Sequence, residues 1–130
     1  MILTLAMLLA ALLFGGMILY AFGFAVFLFS ALPPEIAGQA IPQAFPHFYS
    51  FVMATGLAAA GLTWPRDPLS GSLLILIALT TLPVRQILMP AVNRATDSQA
   101  KTQFKWLHGA SVVLTLGHIV LAGVVLARFV

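Results

Sequence analysis

Cysteine is absent from this 130-residue sequence and charge is scarce, with six Lys or Arg and three Asp or Glu residues. The lack of cysteine excludes disulfides, thiolate metal ligands, cysteine nucleophiles and palmitoylation. Six basic residues are too few for a nucleic-acid-binding surface, so we expect no nucleic-acid partner. Charged residues make up 7% of the chain, whereas about a quarter of a soluble domain is charged. The sequence therefore predicts an integral membrane protein whose main partner is the lipid bilayer.

Apolar residues are abundant: 62% of the chain is hydrophobic, and its mean hydropathy is +1.08. A helix needs about 20 apolar residues to cross a membrane. Four apolar segments meet or approach that length. We expect the first to remain in the mature protein as a helix rather than be cleaved as a signal peptide, because its apolar stretch is too long for one and no basic residues precede it. We predict an all-α fold with a single membrane domain over residues 1–130. Its four transmembrane helices form a bundle at about 2–32, 45–63, 71–92 and 104–129.

Three breaks separate these segments. The first, Pro33–Pro42, predicts a short interfacial helix between helices 1 and 2, which Pro42 and Pro46 separate from the next span. The second, Trp64–Pro68, predicts a tight turn with an interfacial tryptophan. The third, Asn93–Gln103, is the most polar stretch of the chain.

Four spans place the first and third breaks at one membrane face, here called side A. Both termini and the second break then lie at the opposite face, side B. Side A carries Arg94, Lys101 and Lys105, and Arg85 lies close to it. Because cytoplasmic loops are enriched in Lys and Arg, we expect loops 1 and 3 to be cytoplasmic. The predicted location is multi-pass, in a bacterial inner membrane.

Small and aromatic residues predict how the helices pack. Gly56 and Ala60 form a small-xxx-small pair that favours helix packing within one bundle, with dimerisation as the alternative. Three glycines predict a groove on the first helix: Gly15, Gly16 and Gly23. Seven phenylalanines gather toward side A: Phe22, Phe24, Phe27, Phe29, Phe45, Phe48 and Phe51. Packing and an interfacial aromatic belt explain most of them, and the lining of a pocket is the alternative.

Arg85 is the most informative polar position, because a charged side chain within a membrane is costly and has a function or a fixed partner by default. It precedes the third break by eight residues, which places it roughly 12 Å below side A. Two interpretations stay open at this point. The side chain extends toward the interface to pair with Glu35 or Asp97, or it serves a ligand or a transported substrate.

His47 and His108 enter the second and fourth spans from side A, so the rise per residue brings them to a depth similar to that of Arg85. We predict a binding site from these residues and three polar neighbours: His47, Tyr49, Arg85, Gln86, His108 and Ser111. An arginine with two histidines suits an anion or a polarised headgroup. No acid is placed to orient His108 as a catalytic base, so we predict no catalytic residue, no metal site and no enzyme.

His118 lies ten residues after His108, about 15 Å deeper, so the two histidines do not share one small site. We expect it to bond to a neighbouring helix. Axial ligation of haem by His47 and His108, or by His118, is the alternative. Because no haem-attachment motif is present, we expect no cofactor.

Four blocks lie in the same order along nearly the whole chain: FLFSALP (Phe27–Pro33), AFPHFY (Ala44–Tyr49), VRQILMP (Val84–Pro90) and FKWLHGAS (Phe104–Ser111). Together they resemble the transmembrane protein 205-like family, which is grouped by a domain of unknown function. The resemblance implies a four-helix membrane protein, and some members are linked to drug or metal tolerance. It highlights ten residues: Leu32, Pro33, Phe45, Pro46, Tyr49, Arg85, Pro90, His108, Gly109 and Ser111.

The chain departs from this family pattern at two positions. Members often carry an acidic residue where this chain has Met89, and some carry asparagine where it has Thr115. His47 is not part of the pattern. The missing acid leaves Arg85 without an obvious partner in its own helix.

Three functions follow as hypotheses. The first is a small-molecule or anion binding or export module with a polar pocket near side A. The second is a non-catalytic accessory subunit of a larger membrane complex, such as an energy-transducing one. The third is a haem-binding redox membrane protein. For a chain of only four helices, we expect a homo-oligomer or a larger complex.

Overall fold

The computed structural model describes all 130 residues and contains four long helices and no strand. Helix α1 spans Ile2–Ala31, α2 spans Pro34–Thr63, α3 spans Pro68–Asp97 and α4 spans Lys101–Arg128. Helices α1, α3 and α4 are long and apolar enough to cross a membrane. The predicted all-α fold is confirmed, and the chain is a multi-pass integral membrane protein.

Helix α2 does not reach the hydropathy of the other three helices. It packs against α1 on one side and α3 on the other, while α4 packs against the far sides of α1 and α3. Much of the inward face of α2 is therefore covered by protein rather than lipid. Ala37, Val52 and Ala59 are almost fully buried there.

The predicted interfacial helix is not confirmed as a separate element. Residues 34–42 are helical, but they form the first turns of α2, which runs without a break through Pro42 and Pro46. Each proline lacks a backbone N–H, which leaves the carbonyls of Gly38 and Pro42 without their usual helical donors. Two other carbonyls of this stretch accept hydrogen bonds from neighbouring helices: the Tyr20 hydroxyl donates to the Ala44 carbonyl at 2.7 Å, and Arg85 Nε donates to the Pro46 carbonyl at 3.1 Å.

Two helices contain a widened turn with π-helical geometry, at Leu19–Phe24 in α1 and at Val84–Leu88 in α3. The second begins directly after Pro83, which cannot donate a backbone hydrogen bond. A π-helical turn accommodates such an interruption without ending the helix, and these turns are frequent at functional sites. Both lie in the half of the bundle nearer side A, next to the proline-containing part of α2.

Small residues bring the helices close together, as predicted. Gly56 is buried on α2, and a Cβ atom there would lie 3.5 Å from the Leu74 carbonyl and 3.6 Å from Ala78 Cβ. Ala60, one turn further, is 2% exposed. Gly56 thus packs against α3 of the same chain, and Ala60 is buried on the same helix.

At side B, one ion pair closes the bundle. Arg128 Nε lies 2.8 Å from Asp67 Oδ2, and Arg128 Nη2 lies 2.9 Å from Asp67 Oδ1. Asp67 also caps the start of α3, where its carboxylate accepts hydrogen bonds from the hydroxyl and the backbone N–H of Ser70. The hydrogen bonds from Arg128 and from Ser70 lower the pKa of Asp67 well below its ordinary value of 3.8. The cluster fixes the end of α4 to the turn between α2 and α3.

Candidate functional site

A groove of about 630 Å³ lies between the π-helical turn of α1 and the adjacent face of α2. This volume is within the range of small-molecule sites in proteins, roughly 300–1,000 Å³. Its lining is mostly aromatic and apolar, with His47 and the Tyr20 ring as its polar members. The lining residues are Gly16, Leu19, Tyr20, Gly23, Phe24, Phe27, His47, Phe48 and Phe51.

Two glycines make room for this groove. A Cβ atom on Gly16 would lie only 2.8 Å from the Phe51 ring, so the ring packs directly onto the α1 backbone. Gly23 lies further along α1, where it is exposed and lines one side of the groove. The predicted glycine groove is therefore present at these two positions, whereas Gly15 has no atom within 4 Å of its Cβ position and does not line it.

Aromatic stacking holds the wall of the groove in place. The Tyr20 ring stacks on Phe48, with centroids 4.8 Å apart and an angle of 12° between the ring planes, and it meets the Phe45 ring edge-on at 5.7 Å. Its hydroxyl is fixed by the bond to the Ala44 carbonyl. Sequence analysis missed Tyr20, although a tyrosine within an apolar helix requires a hydrogen-bond partner.

The groove crosses the side-A boundary of the hydrocarbon core. Counted from the start of α1 at side B, Gly16 lies roughly 21 Å and Phe27 roughly 38 Å along the helix. His47 lies sixteen residues before the end of α2, which places it roughly 24 Å from side B. Since the hydrocarbon core is about 30 Å thick, the deeper end of the groove lies among acyl chains and its upper end lies among headgroups.

Arg85 lies on the other flank of α2 at nearly the same depth, seventeen residues after the start of α3. Its Nε donates to the Pro46 carbonyl at 3.1 Å, and its Nη1 donates to Gln86 Oε1 at 2.9 Å. The other guanidinium N–H groups donate to no protein acceptor. The pairing with Glu35 or Asp97 considered from the sequence is absent, because the one ion pair in the chain joins Arg128 and Asp67.

Exposed polar side chains continue from Arg85 across the outer face of α2. Gln43, His47 and Ser50 recur at the spacing of one helix face, and all three are exposed, as is Gln86 on α3. Together with Arg85 we call these residues the polar surface: Gln43, His47, Ser50, Arg85 and Gln86. Because His47 also lines the groove, the polar surface and the groove are continuous.

The remaining predicted site residues make other contacts. Tyr49 is 4% exposed and packs between Phe45 and Phe48 in the core, with ring centroids 5.9 Å and 5.2 Å away. On α4, His108 is exposed and stacks on Phe104 at 5.3 Å, and the Ser111 hydroxyl donates to the His108 carbonyl at 2.7 Å. These α4 contacts stay within one helix.

His118 makes the interhelical bond that was expected of it. Its Nε2 lies 2.7 Å from Thr80 Oγ1 on α3, and the imidazole is 9% exposed. Thr80 donates its single hydroxyl hydrogen to the Leu76 carbonyl at 2.6 Å, so it accepts from a protonated Nε2 of His118. No group of three or more potential metal ligands gathers anywhere in the chain.

Comparison with known proteins gives one family match, to the domain of unknown function DUF4149 over residues 8–101. No curated protein and no solved structure matches the chain. The matched region contains every residue of the groove and of the polar surface, whereas His108 and Ser111 lie outside it. The transmembrane protein 205-like name remains a resemblance. Because the match covers well over half of the chain, this protein belongs to the family defined by the domain of unknown function DUF4149.

Proposed function

We propose that this membrane protein binds an amphipathic small molecule in the groove between α1 and α2. The observation that carries the proposal is the groove itself, about 630 Å³ in volume and lined by aromatic side chains. Ligand sites combine such a lining with a small number of polar groups that orient the ligand. His47 is placed to serve that role at the rim.

The groove opens sideways, along the lipid-facing surface, so a ligand enters from the bilayer. A hydrophobic molecule partitions into the membrane before it binds, which raises its local concentration at the groove. The bound molecule gains contacts with rigid aromatic rings in place of mobile acyl chains. Because the Tyr20–Phe48 stack already fixes the wall of the groove, fewer side chains have to be ordered on binding, and the entropic cost of binding is lower.

The test is photolabelling with a neutral probe, a long-chain alcohol that carries a diazirine in its tail. In membranes containing the wild-type chain, we expect the label on peptides that contain Phe24 and Phe51. Gly23→Phe fills the groove and is expected to remove this label. Gly15→Phe is the matched control, because its side chain enters open space on the same helix outside the groove.

Equal labelling of the two variants would contradict the proposal, as would a label spread evenly over all lipid-facing peptides. Native mass spectrometry of the chain extracted from its own membranes gives a second measurement. There, a reproducible adduct retained by Gly15→Phe and lost from Gly23→Phe identifies the natural ligand by mass.

A further inference from the structure

We infer that the ligand of this groove is a single-chain amphiphile with an anionic headgroup, a long-chain carboxylate, whose headgroup binds the polar surface beside Arg85. This inference rests on the proposed function and specifies its ligand class. It is carried by three observations: the charge of Arg85, the continuity of the polar surface with the groove, and their common depth.

Arg85 supplies an unneutralised cation. No carboxylate of the chain pairs with it, and its two hydrogen bonds, to the Pro46 carbonyl and to Gln86, leave further guanidinium N–H groups free. Its bonded nitrogens hold the group in place on the outer edge of α2. An uncompensated arginine within a membrane favours an anion, and a guanidinium binds a carboxylate through two parallel hydrogen bonds.

The neighbouring polar groups fit the same ligand. Gln43 lies one turn before His47 on the exposed face of α2 and offers hydrogen-bond donors from its side-chain amide. Ser50, one turn after His47, already donates its hydroxyl hydrogen to the Pro46 carbonyl at 3.0 Å. Left toward lipid without a partner, the Gln43 amide is unfavourable. A headgroup at this position satisfies it, while its tail extends past His47 into the groove.

Depth and size restrict the ligand further. The polar surface lies near the side-A boundary of the hydrocarbon core, where headgroups lie, and Phe48 and Phe51 at the deeper end of the groove lie toward the acyl region. A groove of about 630 Å³ suits a ligand of drug-like size, hence one hydrocarbon chain rather than a two-chain lipid. The basic residues of side A, Arg94, Lys101 and Lys105, add to the attraction for an anion.

The experiment compares two diazirine probes with identical chains, one ending in a carboxylate and one in an alcohol, at about pH 8, where the carboxylate is ionised. A charged hydrogen-bonded headgroup predicts that the carboxylate labels groove peptides about tenfold more strongly than the alcohol. The informative variant is Gln86→Glu. It keeps the acceptor for Arg85 Nη1, 2.9 Å from the present Gln86 oxygen, but neutralises the cation in place.

In Gln86→Glu we expect the two probes to label equally. Gln103→Glu adds the same charge at an exposed position on α4 and should keep the preference for the carboxylate. Labelling by the alcohol also reports whether each variant is folded.

Equal labelling of the wild-type groove by both probes would overturn the inference and leave the proposed function standing. Labelling by neither probe would overturn both. Preferential labelling by a diazirine-bearing anionic phospholipid would also overturn the inference, because the groove would then hold a bilayer lipid.

Discussion

The hydrogen bond between Thr80 and His118 joins α3 to α4 inside the bundle, and Thr80→Val tests what it contributes. Valine keeps the shape of threonine but removes the hydroxyl that accepts from His118 Nε2 at 2.7 Å. Interhelical hydrogen bonds in membrane proteins contribute about 0.6 kcal/mol on average and up to about 1.7 kcal/mol. Leaving a buried donor unpaired adds to this cost. We therefore expect Thr80→Val to lower the free energy of unfolding by about 1–2 kcal/mol.

Thr81→Val is the matched control. The Thr81 hydroxyl donates only to the Ile77 carbonyl of its own helix, at 2.6 Å, and bonds of this kind contribute little or are slightly unfavourable. The assay is reversible unfolding in mixed micelles with increasing sodium dodecyl sulfate, followed by the fluorescence of Trp64 and Trp106. A double-mutant cycle with His118→Leu should give a coupling energy of about 0.6–1.7 kcal/mol. Coupling indistinguishable from zero, or equal costs for Thr80→Val and Thr81→Val, would refute the reasoning.

Two further predictions concern side B. Because Arg128 and Ser70 depress the folded-state pKa of Asp67, the stabilisation from that carboxylate is complete above about pH 4 and is lost as the pH falls further. Asp67→Asn should flatten this acid dependence of unfolding, and a dependence identical to that of the wild type would show that other carboxyls cause it. A Cβ atom on Gly71 would lie 2.7 Å from the Trp64 ring, so Gly71→Ala should destabilise the chain by about 1–3 kcal/mol and shift the tryptophan emission. Gly61→Ala, which meets no atom within 4 Å, should leave both unchanged; equal effects would contradict the packing argument.

The proline-rich start of α2 shows where local rules failed. Pro42 and Pro46 favour a break, and each does remove a backbone donor. The helix nevertheless continues through both positions, where α1 and α3 pack against α2 and the Tyr20 hydroxyl and Arg85 Nε donate to the carbonyls of Ala44 and Pro46. Local rules do not include these tertiary contacts.

For the predicted six-residue site, the depth of the residues follows from the sequence, but the direction in which their side chains point does not. Depth was inferred from the rise per residue, and for His47 and Arg85 it agrees with a hydrogen bond that joins their helices. The direction in which each side chain points could not be inferred, because it depends on which face of a helix meets its neighbours. Tyr49 therefore lies in the core, and His108 bonds and stacks within α4. The sequence shows the helical spacing of Gln43, His47 and Ser50, but only the structure shows that this face of α2 is exposed.

The ion pair at side B could be predicted only in part from the sequence. An aspartate directly before a proline predicts a helix start, and Asp67 does cap α3. Its partner Arg128 lies 61 residues away, at the end of the last helix. Only the antiparallel arrangement of α3 and α4 brings the two together.

The lipid environment of this protein, its four helices and the approximate depth of each polar residue follow from the sequence, because hydropathy and the rise per residue are properties of a single segment. The groove, the hydrogen-bond partners of Arg85 and the contacts of His108 follow only from the way the helices pack. These depend on the rotation of each helix about its axis, which is set by close packing against neighbouring helices such as that at Gly16 and Gly56. Because this rotation depends on how two helices fit together, the sequence of one helix does not specify it.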